Sequence, residues 1–94
     1  MKIMKFECDD RYEAEKLAGL VSVQRNDAAY VDGVAAVVGN EIVIKLKDKS
    51  SHAVLLKNKE DVDRLKSLLI DVVKGKIKIR CSDFRGSVAE ITVD

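Results

Sequence analysis

The sequence predicts an α+β domain: a mostly antiparallel sheet of about five to six short strands with two helices on one face, in the order β-α-β-β-β-β-α-β-β. Three observations predict it. Two segments carry helical apolar spacing, each with a capping residue in front. The rest breaks into short runs that alternate apolar and polar, and Gly-containing dipeptides punctuate those runs. The 94 residues suffice for one small domain. No linker or low-complexity tract divides them, so residues 1–94 are taken as one unit.

The first strand follows from Met4, Phe6 and Cys8 facing one side while Lys5 and Glu7 face the other. Asp10 then opens a helix, with Glu13 at capping-box spacing. Ala14, Leu17, Ala18 and Val21 supply its apolar face, which fades near residues 22–25. From Asp27 to Leu46 the signal is a meander of short strands. Asp32-Gly33 and Gly39-Asn40 are turn dipeptides, because these residues tolerate positive φ. They bracket Val34–Val38, and Ile42, Ile44 and Leu46 alternate after them. A helix is the competing assignment for residues 27–38, since Tyr30, Val34, Val37 and Val38 also fit helical spacing. Gly33 would cost that helix about 1 kcal/mol relative to Ala.

Residues 47–51 form a polar hairpin loop into the strand His52 to Leu56. Asn58 caps the clearest element, in which Val62, Leu65, Leu69, Val72 and Val73 form a continuous stripe, with Glu60 and Arg64 paired on the solvated side. Gly75 ends it in the C′ role. Ile77, Ile79 and Cys81 alternate as a strand, residues 82–87 form a loop, and Val88 to Val93 complete the chain. A faint echo links Met4-x-Phe6-x-Cys8-x-Asp10 with Ile77-x-Ile79-x-Cys81-x-Asp83; two buried strands of similar length give such an echo by chance.

Composition narrows the function classes. A chain 47% hydrophobic and 35% charged is globular rather than disordered, and no apolar run is long enough to span a bilayer. The net charge of +1 gives no global attraction to polyanions. One His cannot build a His-rich zinc site, and Cys8 and Cys81 lack CxxC spacing; both fall on the apolar phase of their strands and are expected to be buried, inert thiols. The N-terminus turns acidic at once and is no signal peptide, which points to the cytosol of a cell or of an infected host.

Catalytic constellations are weak. A Cys–His–Asp site would need Cys8 or Cys81 beside His52, with an Asp to orient the imidazole. Asp9, Asp10 and Asp83 follow two strands and would have to converge to hold a cation. Nucleotide, zinc-protease and hydrolase motifs are missing. No catalytic residue, metal or cofactor is therefore assigned.

Binding is better supported. Residues 1–40 hold five Lys/Arg against seven Asp/Glu, whereas residues 41–94 hold twelve against nine. Lys76, Lys78 and Arg80 alternate with Ile77, Ile79 and Cys81, and Lys45 and Lys47 alternate on another strand. If the two strands shared a sheet, its open face would be a cationic strip able to neutralise phosphates. Phe84 and Arg85 stand together on the expected loop and have the makeup of an interface anchor, with Ile70, off the main stripe of its helix, as a further contact. The sequence therefore predicts a small non-enzymatic module that binds another macromolecule, foremost a protein, as virus- and mobile-element-encoded factors commonly do. The alternative is a nucleic-acid-binding accessory protein using Lys45, Lys47, Lys76, Lys78 and Arg80. The last strand, with few charges along its edge, is expected to pair with a second copy as a homodimer.

Overall fold

A computed structural model of the chain describes residues 1–22 and 31–94. Six strands and two helices follow one another as β1 (Lys2–Glu7), α1 (Arg11–Leu20), β2 (Val31–Val38), β3 (Glu41–Leu46), β4 (Ser51–Leu55), α2 (Lys59–Val73), β5 (Ile79–Arg85) and β6 (Val88–Val93). The α+β class holds. All strand pairs are antiparallel, in two sheets of order β1-β6-β5 and β2-β3-β4. The sheets meet where the chain leaves β1 and β4: Cys8 bridges Leu56, Asp9 N–H donates to the Leu55 carbonyl at 3.0 Å, and Lys57 N–H donates to the Glu7 carbonyl at 2.9 Å. Both helices bury their apolar faces in one shared core. In it α1 packs on β5 and β6, and α2 packs on β2.

This arrangement contains a repeat that the sequence hides. Residues 1–46 and 51–94 each run strand, helix, hairpin, and the units are intertwined: β1 of the first pairs with β6 of the second, while β4 of the second pairs with β3 of the first. Equivalent positions do equivalent work. Phe6 and Val54, Cys8 and Leu56, Ala14 and Val62, and Leu17 and Leu65 are all buried to 1% exposure or less. The caps match as well, since Asp10 accepts from Glu13 N–H at 2.9 Å and Asn58 accepts from Asp61 N–H at 2.8 Å. The two-residue hairpin loops begin with Gly39 (φ 60) and Gly86 (φ 58), the conformation a type II′ turn asks of its first central residue. The echo between the segments at Met4 and Ile77 is not this repeat, because the counterpart of β1 is β4.

Irregularities in β2 and β5 account for where the sequence misled. In each hairpin the register slips at the same point, between Val31 and Gly33 and between Ile79 and Cys81. Asp32-Gly33 is thus a bulge inside β2 rather than a turn. A second slip between Val34 and Ala36 leaves Val31, Val34 and Val37 facing the core. An inward spacing of three is what made this strand resemble a helix. Residues 31–38 form a strand; residues 27–30 lie outside the described part. In β5 the slip turns Cys81 outward, so this thiol is exposed, contrary to the alternation in the sequence. The strand continues to Arg85, which places Phe84 on a strand and not on a loop. The final strand β6 is the centre of its sheet, so it has no free edge with which to pair a second copy.

Helix α2 behaves as its pattern indicates. Gly75, at φ 79, closes a Schellman motif in which Gly75 N–H donates to the Val72 carbonyl (3.1 Å) and Lys76 N–H to the Asp71 carbonyl (2.9 Å). Arg64 pairs with Asp61 at 2.8 Å rather than with Glu60, because Asp61 turns inward while Glu60 stays in solvent. Leu65 and Leu69 are fully buried. Each Leu→Ala variant is expected to lose about 2–5 kcal/mol, read as a lowered urea midpoint.

Candidate functional site

The two cysteines separate into different environments. Cys8 is fully buried, and its thiol is pushed up to about 12, first by burial and then by the negative charge of Glu13, with smaller effects from Asp61 and Asp10. Cys81 lies on the open face of β5. His52 belongs to β4, in the other sheet from Cys81. Its Nε2 meets Ser50 Oγ at 2.9 Å, and that hydroxyl in turn bonds the Asp48 carboxylate. Serine stands between acid and imidazole here, so the acid orients the hydroxyl and not the ring, the reverse of what nucleophile activation requires. Bonds from the Ser50 hydroxyl and N–H also hold the Asp48 carboxyl below its ordinary value. Asp9, Asp10 and Asp83 do not converge, and no metal-ligating group of three occurs among the described residues.

The five basic residues are divided by the fold. Lys45 lies on β3, the centre of one sheet, with Lys47 just beyond it. Arg80 lies on β5, the outermost strand of the other sheet, with β4, β1 and β6 in between. Lys76 belongs to the α2 terminus, and Arg80 is paired with Asp94 at 3.0 Å. A continuous cationic strip is therefore not assembled.

The expected anchor is divided too. Phe84 is half-buried against the core with the Arg11 guanidinium over its ring at 5.7 Å, whereas Arg85 is exposed at the end of β5. Ile70 is half-buried on α2, which packs on β2 in the other sheet. Phe84 is thus foremost a lid on the core. An open cleft of about 450 Å³ between α2 and β1 has an apolar floor that includes Met4, Leu68 and Val93. Of the charged residues lining it, Arg64, Asp94 and Asp63 are engaged by Asp61, Arg80 and Lys59, and Lys2 and Asp71 also line it.

What the sequence reading missed is the outer face of β2-β3-β4. Across its middle the register aligns Ala36, Val43 and Ala53, flanked by exposed Val38 and Leu55. The equivalent row of the other sheet is Asp83, Glu90 and Lys5. Both helices pack on the opposite, inward face. The signal was present in the sequence: Ile42-Val43-Ile44 and Ala53-Val54-Leu55-Leu56 are apolar at consecutive positions, hence on both faces of a strand.

Two outcomes test these placements. A thiol reagent is expected to label Cys81 in the native protein at once and Cys8 only on unfolding, followed by mass spectrometry of each single-cysteine variant. Phe84→Ala is expected to cost about 1–3 kcal/mol in urea denaturation, as a core lid would and a solvated anchor would not.

Comparison of the chain with protein-family models, with curated proteins and with solved structures finds no match. Among the described residues, no helix is long and apolar enough to cross a membrane.

Proposed function

We propose that the protein is a small non-enzymatic interaction module that binds another protein through the outer face of β2-β3-β4. One observation carries this reading. The intertwined repeat provides two rows in the same structural setting, and one is Ala36-Val43-Ala53 while the other is Asp83-Glu90-Lys5. Since the fold accepts three charged side chains in that row, nothing in the folding of the domain calls for an apolar one. Ala36 is exposed and Val43 and Ala53 are half-buried, and apolar side chains left in partial contact with water without a structural need are what a protein-contacting surface requires. The separation of Lys45 and Lys47 from Lys76, Lys78 and Arg80 gives the polyanion alternative no comparable support.

Val43→Glu places at the centre of the face the residue type already found at its counterpart, Glu90, so stability should change by about 1 kcal/mol or less. This variant is expected to lose the protein partner in affinity capture from the native lysate. Reversal of Lys76, Lys78 and Arg80 to Glu is expected to retain it, with or without nuclease. The opposite pattern would place nucleic acid first.

A further inference from the structure

We infer that the outer face of β2-β3-β4 docks against the same face of a second copy, in a two-fold pair whose axis runs along the row Ala36-Val43-Ala53. The inference rests on the protein-binding reading and names the partner.

The outer face of β2-β3-β4 is complementary to itself. On the outer face of β3, Glu41 and Lys45 lie two residues to either side of Val43. The row through Glu41 holds Val38 and Leu55; the row through Lys45 holds Gly33 and Ser51. A two-fold axis along the hydrogen-bonding direction, lying beneath the central row, stacks two such faces with β3 antiparallel to its copy. Each Glu41 then faces a Lys45, each Val38 faces a Gly33, and each Leu55 faces a Ser51. Acid meets base, and each larger side chain meets a small one or none. The central row of two alanines and a valine meets itself, where bulk would hold the sheets apart.

The other in-plane axis, along the strands, sets Glu41 against Glu41 and Lys45 against Lys45, and like charges in a closing interface are unfavourable. Charge therefore selects one of the two sheet-on-sheet arrangements. The corresponding face of β1-β6-β5 has no such pattern, since its central row is itself charged. Isologous contact of a patch with itself is the usual construction of a homodimer, and aligned packing of two sheets about 10 Å apart is an ordinary one. A three-strand footprint of roughly 15 × 15 Å is small beside the ~800 Å² per partner of a stable complex, so the pair is a weak one.

The test is a concentration series of the intact chain from ~10 μM to ~1 mM, followed by sedimentation velocity and by diffusion measured with NMR. The wild type is expected to shift from monomer to dimer, with the amides of Ala36, Val43 and Ala53 among those that move. Glu41→Lys and Lys45→Glu should each abolish the shift, and the double exchange should restore it; Val43→Glu should abolish it without rescue. Unchanged circular dichroism confirms that each variant is folded. A single monomeric mass throughout overturns the inference, as does a dimer that survives Val43→Glu or a double exchange that stays monomeric. A monomeric wild type that still loses a different protein on Val43→Glu overturns the second copy alone and leaves the protein-binding reading standing.

Discussion

The structure hinges on a crossed pair of carboxylates where the two sheets meet. Just past the ends of β1 and β4, the two segments pair only at the bridge between Cys8 and Leu56 before each turns into a helix. The N–H groups of Glu7 and Leu55 are left where the ladder stops. Asp61, in the first turn of α2, accepts from Glu7 N–H at 2.8 Å; Glu13, in the first turn of α1, accepts from Leu55 N–H at 3.0 Å. Each acid thus stands in for a missing strand carbonyl. Each is also steadied by a cation one turn on, Arg64 for Asp61 at 2.8 Å and Lys16 for Glu13 at 3.2 Å. A charge-assisted bond from a nearly buried acid such as Asp61 is among the stronger contacts a small domain has, and losing it would leave a backbone donor without a partner.

The clasp fixes more than two strand ends. It ties each helix to the strand that belongs to the other unit, so the units cannot separate without opening both sheets. Because each first strand is given to the other unit's hairpin, β3 and β6 become central and β2 and β5 become edges. Both edges are interrupted: β2 by two register slips, and β5 by one slip and by Asp83 Oδ1, which accepts from Phe84 N–H at 2.8 Å. Bulges and local side-chain caps are both ways of making an edge a poor template for another strand. At the outer strands β2 and β5, contact through the sheet edge is therefore disfavoured.

The two units keep the same core and diverge on the surface. Leu17 and Leu65, Ile44 and Ile91, and Leu46 and Val93 occupy equivalent buried positions. Outward, Val43 corresponds to Glu90 and Ala53 to Lys5. Packing constrains the inner face of both units in the same way, whereas water accepts either chemistry on the outer face. What distinguishes the outer faces of the two sheets is thus free to serve binding, and the apolar face of β2-β3-β4 is where binding is proposed.

The sequence by itself determined the elements whose signals are local. The cap at Asn58, the stripe through Leu65 and Leu69 and the stop at Gly75 all act within a few residues, and α2 forms where they place it. The alternation in β3 and the cap at Asp10 were legible for the same reason. Only the tertiary structure decided the rest, because it depends on which strand lies beside which. A one-residue slip in a hairpin reverses every side chain beyond it, so Cys81 faces solvent and Phe84 the core although alternation gave the opposite for the thiol. Strand exchange made β6 central and parted Lys45 from Arg80 by three intervening strands. The apolar row of Ala36, Val43 and Ala53 draws one residue from each of three strands, and it exists only once their registers are set.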